Sequence, residues 1–408
     1  MPGALRFHSS AACATNCTVS ASSHLPGRRQ AAGCLLGLLA GSPLARAQQP
    51  EFDRVPPLDE LVNVFEFDGV CKLRATREAY DYVSGGADDE VTLRRNRQAL
   101  SKITFRPRML SDVSQIDLST TLFGQKLPHP ILVAPTGTHS RLHPEGELAT
   151  VRGASRAGAV MVVSSSSSFP IDQIARAATV PLWFQLYAGP DKEGTFERVA
   201  RALEHGCKTV CFTVDVPYFP HRERDLRNRL IRPEMEGERR RRAAGSPGFR
   251  YRLPPRFTSE LTWPFVTELA DFAKAPVLIK GILTAEDARL AVEHGAAGIV
   301  VSNHGGRYLD SAPATIAVLP EIVSSVGGRI PVLIDGGFRR GADILKALAL
   351  GAKAVLLGRP PLWGLGAYGE AGVTRILQLL ETELALAMGL AGRSNLGSLD
   401  PSLVRIEN

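Results

Sequence analysis

Residues 331–360 read "PVLIDGGFRRGADILKALALGAKAVLLGRP". An apolar run, 331–334, meets an acid, two glycines and two arginines. A helical pattern follows over 341–350, and Gly351 stands where a left-handed C-cap sits. A second apolar run, 354–357, then ends in Gly358-Arg359. Neither run alternates with polar residues, so each reads as a strand of a parallel sheet covered on both faces.

Working outward, the same unit recurs. Continuous apolar runs occupy 130–136 ("PILVAPT"), 160–166 ("VMVVSSS"), 182–187 ("LWFQLY"), 209–216 ("TVCFTVDV"), 276–282 ("PVLIKGI") and 298–304 ("GIVVSNH"), before the two just described. Helix-like segments such as "EGELATVRGASRAGA" and "TAEDARLAVEHGAAG" separate them, and Thr284 with Asp287 forms a capping box. Eight strands, each followed by a helix, predict an α/β fold of (β/α)8 TIM-barrel type. A doubly wound open sheet rarely needs eight such units, and no GxGxxG follows the first strand.

Two stretches fall outside the repeat. Residues 48–129 precede the barrel of 130–408 and carry "AYDYVSGGADDEVTLRRNRQAL", an N-terminal helical extension that breaks at Gly85-Gly86 and restarts. The connection after strand four, 217–262, is far longer than usual. It contains four consecutive arginines, 239–242, and reads as a solvated loop able to serve as a lid.

Residues 1–47 differ in composition. Paired arginines (Arg28, Arg29), a short apolar run from Ala31 to Ala40, Pro43 and then Ala45-Arg46-Ala47 predict a signal peptide of twin-arginine type and a periplasmic, exported protein. A cytoplasmic protein with a disordered extension is the alternative. The apolar run is too short for stable membrane insertion. The net charge of +7 owes much to this segment, because without residues 1–50 the chain holds 44 basic against 41 acidic residues. That balance predicts no nucleic-acid partner. Three of the six cysteines, Cys71, Cys207 and Cys211, lie beyond the segment, and no spacing suggests a metal site.

Barrel chemistry gathers where the strands end. Here the ends supply Thr136, the serines 164–168, Gln185 with Tyr187, Thr213 with Asp215, Lys280, then Ser302, His304 and Arg307, then Asp335, and last Gly358-Arg359. Eight ends contributing to one polar ring describe a site for a large polar ligand. Glycines, backbone N–H groups, Arg339 and Arg359 after strands seven and eight point to a phosphate.

The segments "SNHGGRYLD" (302–310), "FTVDVP", "FQLY", "IDGGFRRG" and "LLGRP", with "IKG" at strand five, resemble the FMN-dependent 2-hydroxy-acid oxidases and dehydrogenases (glycolate oxidase, lactate oxidase, mandelate dehydrogenase) over about residues 60–395. The resemblance implies FMN as cofactor. Its phosphate would lie on Gly337, Arg339, Gly358 and Arg359, with Asp335 on the ribityl chain. Pro135, Thr136 and Gly137 would back the ring system, and Ser164, Gln185, Thr213 and Ser302 would complete the cofactor set, with Lys280 beside the ring's pyrimidine end. His304 would be the base, oriented by Asp215, with Tyr187 counted in the catalytic set. Arg222 and Arg307 would hold the substrate carboxylate, Tyr82 and Tyr187 would reach its oxygens, and Ser166 would border its side chain.

The implied reaction turns an L-2-hydroxy acid, lactate- or glycolate-like or longer, into the 2-oxo acid. Electrons pass to dioxygen, giving hydrogen peroxide, or to a separate acceptor such as a quinone, since residues 48–60 are too few for a haem domain. A homotetramer is implied as well. Two departures bear on detail. Ser166 stands where glycolate oxidases carry Trp, which predicts a roomier pocket, and Gly137 stands where several oxidases carry Ala and several dehydrogenases Gly. An isoprenoid-type FMN isomerase and a non-enzymatic barrel are the competing readings.

Overall fold

The computed structural model describes residues 54–189, 191–228 and 260–407. Eight parallel strands close into a barrel: β1 Ile131–Val133, β2 Met161–Ser164, β3 Leu182–Leu186, β4 Cys207–Thr213, β5 Val277–Ile282, β6 Gly298–Val301, β7 Val332–Ile334 and β8 Ala354–Leu357. Closure comes from β8 pairing with β1, Val355 opposite Ile131. Each strand except β4, which starts two residues early at Cys207, lies inside an expected run, and the strands stop up to three residues short of the run's end. Those last residues leave the ladder to build the barrel mouth.

Every strand sends a side chain into the interior: Leu132, Val162, Trp183, Cys211, Leu278, Val300, Leu333 and Leu356 belong to a cluster of their own, to which β8 adds Ala354. Trp183 is the largest side chain buried there. Its indole N–H donates to Gln125 Oε1 at 3.1 Å, so the antiparallel hairpin Thr120–Leu122 and Gln125–Leu127 seats against the barrel floor, with Leu122 and Leu127 in the same cluster. Cys207 and Cys211 are packing residues, and burial pushes both thiols up to about 12.

The segment before the barrel forms three helices, α1 Val64–Arg74, α2 Arg77–Ser84 and α3 Val91–Ser101. The break at Gly85-Gly86 falls between α2 and α3, as the sequence predicts. The last helix, α4 Arg359–Leu390, packs along α1 and bends at Tyr368-Gly369, where the backbone leaves helical geometry. After β4 a short helix, Glu223–Arg227, starts the long connection, but the arginine run and the expected lid lie outside the described residues. None of the helices among the described residues is long and apolar enough to cross a membrane.

The start of α3 has no cap of its own. Glu90 at the N-cap is left-handed (φ 58°) and its side chain caps nothing. Asp310, beyond β6, does the work across the chain, accepting from Val91 N at 3.1 Å and Thr92 N at 2.7 Å. Partial burial would raise this carboxyl, but the backbone N–H groups outweigh it and hold it below its ordinary range. Asp310→Ala is expected to cost about 1 kcal/mol of stability, as the loss of an N-cap does, read as a lower urea midpoint with unchanged slope.

Candidate active site

A cavity of about 390 Å³ opens at the C-terminal ends of the strands, and most of the predicted site residues line it. Gln185, Thr213, Asp215 and Ser302 stand directly behind that lining. The loop after β6 decides its shape. His304 is left-handed (φ 55°), followed by Gly305 (φ 64°) and Gly306 (φ 72°). Three such residues in succession turn the chain back sharply, and only His304 meets the steric cost of a β-carbon there. A β-carbon on Gly306 would stand 2.6 Å from Leu93 N.

His304 is held from two sides. Its Nδ1 lies 2.9 Å from Asp215 Oδ1 and its backbone N–H donates to Ser302 Oγ at 3.0 Å. The carboxylate requires Nδ1 to carry the proton, which leaves Nε2 as the acceptor facing the cavity. Tyr187 Oη stands 3.4 Å from Nε2, a loose contact. The Tyr308 ring packs against the imidazole at 4.4 Å between centroids. Burial pushes His304 below its ordinary value, although Asp215 pulls the other way. Burial would raise Asp215, but the partnership with His304 and the charge of Lys280 hold it low.

Lys280 on β5 is buried, with Nζ 2.9 Å from Ser302 Oγ and 3.0 Å from Asp335 Oδ2. Burial would lower its ammonium, but Asp335 and Asp215 outweigh that and keep it charged. Gly281 explains the glycine of "IKG". It has φ 116° at a register shift against β6, and a β-carbon there would lie 2.7 Å from Asp215 Cβ. The bulge lets β4 and β5 bring Asp215 and Lys280 to one point.

The remaining residues fall into two groups. Ser164 Oγ and Gln185 Oε1 (3.1 Å), then Gln185 Nε2 and Thr213 Oγ1 (3.1 Å), form a polar row across β2, β3 and β4. Arg307, Arg339 and Arg359 form a cationic group. Burial first, then repulsion from neighbouring guanidiniums, lowers them to about 9, about 10 and about 9. Arg222, close enough to Arg307 and Arg359 to lower both, is buried as well. Its Nε stands 2.7 Å from Asp225 Oδ2 in an ion pair, yet neither Nε nor Nη2 has a well-directed hydrogen bond among the described residues.

This donor set fits FMN. Asp335 Oδ1 is a buried acceptor with no donor among the described residues, facing the same cavity as Gly337 and Arg339. A polyol chain followed by a phosphate supplies the missing donors and the missing anion. One expected contact needs qualification. Arg359 spends Nε on Val83 O (3.1 Å), Nη1 on Gly305 O (2.9 Å) and Nη2 on Gly85 O (2.8 Å). Its guanidinium therefore ties α2 to the β6 loop while it lines the phosphate end.

The FMN-dependent dehydrogenase family matches residues 71–406. The chain belongs to that family. It is 44% identical over 359 residues to a peroxisomal (S)-2-hydroxyacid oxidase of Arabidopsis thaliana, covering 86% of this chain and 98% of the relative. It is also 44% identical over 351 residues to glycolate oxidase of Spinacia oleracea, covering 84% and 95%. A mandelate oxidase crystallised with 3,3-difluoro-2-hydroxy-3-phenylpropionic acid superposes with a TM-score of 0.77 at 39% identity, covering 85% of this chain and all of that one. The family's cofactor is FMN, as the sequence predicts.

The expectation of export to the periplasm is corrected by the same comparison. Relatives aligned over most of this chain, in Arabidopsis and in rice, are named as peroxisomal enzymes. Paired arginines ahead of a short apolar run arise readily in a stretch rich in Ala and Arg, so composition alone is a weak address. Residues 1–47 lie outside the described residues and outside the family match.

Sequence reasoning missed several residues of the site. Asn96 on α3 and Asn303 exchange two side-chain hydrogen bonds (2.9 and 2.8 Å) beneath His304. Arg97 donates to Gly337 O at 2.6 Å. Polar residues at 92 and 96, one turn apart on the buried face of α3, were the available signal. Tyr308 was visible inside the motif but had no assigned partner.

Gly281→Ala is expected to push Asp215 away from His304. We expect about 1–3 kcal/mol of destabilisation in urea melts together with loss of flavin reduction; unaltered turnover would show that the close approach at Gly281 is dispensable.

Proposed function

We propose that this chain oxidises an L-2-hydroxy acid to the 2-oxo acid and passes the electrons to dioxygen, as an (S)-2-hydroxy-acid oxidase. The observation that carries the reading is His304 Nε2, an acceptor held by Asp215, in one cavity with Lys280, Arg222 and Arg307. A substrate carboxylate suits the two guanidiniums, because a planar fork accepts both oxygens. With the carboxylate fixed there, the 2-hydroxyl faces His304. FMN, when bound, supplies the two-electron acceptor for the hydrogen on C2. His304 takes the substrate proton at Nε2, and Asp215 stabilises the imidazolium that results. Tyr82 and Tyr187 orient the substrate oxygens, and Lys280 places a positive charge where negative charge develops.

Gly337, Arg339, Gly358 and Arg359 serve the phosphate in this reading, and Asp335 the ribityl hydroxyls. Pro135, Thr136 and Gly137 support the ring from behind, while Ser164, Gln185, Thr213 and Ser302 complete its polar edge. Residues 48–129 act as a segment packed on the 130–408 barrel. The assembly is a homotetramer, to be checked by light scattering of the holoenzyme.

A dehydrogenase using a quinone or another acceptor is the second reading. Gly137 favours it: a methyl group there would meet Ser166 O at 2.8 Å and Ser166 Cβ at 3.0 Å, so the loop behind the ring is built for glycine. Isomerisation of an isoprenoid pyrophosphate leaves the His304–Asp215 pair and Arg307 without a task. Anaerobic addition of L-lactate, glycolate and L-mandelate in turn, followed by air, separates these. Bleaching with fast recolouring and peroxide marks the oxidase, and slow recolouring marks the dehydrogenase. A yellow protein that no acid bleaches overturns both.

Since burial lowers His304, the free base persists at neutral pH. kcat/KM is expected to rise with pH through an inflection below 6.5 and then level off. Asp215→Asn removes the charge that pulls this value upward, so the inflection moves to lower pH while the plateau falls. His304→Ala should slow flavin reduction by about 10²–10⁴-fold with FMN still bound; retained turnover would remove His304 from the mechanism.

A further inference from the structure

Tyr82 is unusual in carrying guanidinium groups around a single ring. Arg222 and Arg307 each place Cζ 5.2 Å from its centroid, and Arg141 places its own at 4.8 Å. The first two belong to the proposed carboxylate site. Arg141 does not: it is exposed, it sits in the short turn His139–Arg141 after β1, and among the described residues no hydrogen bond or ion pair satisfies it. The neighbouring acid Glu145 is already paired with Arg152 at 2.7 Å. A guanidinium on an aromatic face is attracted to the ring, but its N–H edge stays available.

The turn bearing Arg141 follows directly on the cavity wall. Thr138 lines the cavity and donates its N–H to Ser166 O at 3.1 Å, and Ser140 N donates to Ser168 Oγ at 3.3 Å. The small side chain of Ser166 thus leaves room against the very loop that brings Arg141 to Tyr82. Tyr82 itself lines the cavity together with Ser166, so the guanidinium on its ring brings a third, uncommitted cation to the edge of that room. An apolar side chain gains nothing from a guanidinium there, whereas an anionic one does.

We propose that the preferred substrate is a 2-hydroxy dicarboxylic acid and that Arg141, braced on Tyr82, receives the second carboxylate. The assignment rests on the 2-hydroxy-acid reading above and narrows it. Its energy is modest, because the group is exposed: an exposed ion pair is worth up to about fivefold in binding and weakens as salt is added.

The test compares (S)-2-hydroxyglutarate with (S)-2-hydroxyvalerate, which have equal chain length and differ in the terminal carboxylate, on the FMN-loaded enzyme. In the native protein the ratio of kcat/KM for dicarboxylate over monocarboxylate should exceed one and fall with added salt. Arg141→Gln should lower that ratio about fivefold, and Arg141→Lys should retain most of it. Since the wild-type ratio stands by itself, the test does not depend on either variant folding. A native ratio below one overturns the proposal, as does a ratio that Arg141→Gln leaves unchanged. Bleaching by hydroxyvalerate but not hydroxyglutarate removes the second carboxylate and keeps the oxidase; bleaching by neither, nor by lactate, removes both.

Discussion

Lys280 is a full positive charge placed under the mouth of the barrel, and the neighbouring strand ends are arranged to make that tolerable. Moving an ammonium out of water costs several kcal/mol unless partners compensate closely. β7 supplies Asp335 at 3.0 Å, the turn after β6 supplies Ser302 at 2.9 Å, and Asp215 beyond β4 adds a second carboxylate that is itself tied to His304. Removing Lys280 or Asp335 would leave the other's buried charge without its ion-pair partner, which typically costs about 3–5 kcal/mol. The geometry of base and cofactor cradle is therefore bound to the stability of the fold. Gly281 is the concession that makes the cluster fit, since any side chain there would displace Asp215.

A second constraint runs between the barrel and the helices before it. The β6 loop would be a strained excursion by itself, with three left-handed residues in a row. It is held by Asn96, by the packing of Gly306 on Leu93, and by Arg307 and Arg359 reaching the carbonyls of Val83 and Gly85. In return Asp310 caps α3. The motif "SNHGGRYLD" thus combines chemistry and architecture: His304 and Arg307 face the cavity, and Asn303, Gly306 and Asp310 fix the helical segment that presents Tyr82.

Much of this was legible in the sequence because barrels write their function at predictable places. Continuous apolar runs marked the strands, and polar residues at the run ends marked the mouth. The pairing of His304 with Asp215 came only through the family resemblance, and that of Lys280 with Asp335 lay hidden, because these pairings span 89 and 55 residues of chain and depend on register. Asn96 and Arg141 were less accessible still. Neither lies at a strand end, and a polar residue in a helix or turn gives no sign of which distant loop it meets. Arg359 shows the opposite difficulty: position pointed to the phosphate, while the guanidinium also spends its donors on backbone carbonyls 54 to 276 residues away. The export expectation failed for a different reason, since it rested on composition with no packing to discipline it.

The electrostatics also suit the proposed order of events. Before substrate arrives, burial and the charge of Lys280 keep His304 low, so the imidazole is neutral and its Nε2 can accept a proton. Burial first, and then repulsion from Arg222 and Arg359, brings Arg307 down to about 9 despite its intrinsic basicity. A carboxylate entering this cluster relieves that repulsion and brings a negative charge into the same low-dielectric space as His304. An added anion favours the protonated imidazole, so the base grows stronger once the molecule it must deprotonate is in place. A cavity with excess cations and one low base therefore couples recognition of the acid to readiness for proton transfer. The Tyr308 ring, tilted against the imidazole, covers one side of it.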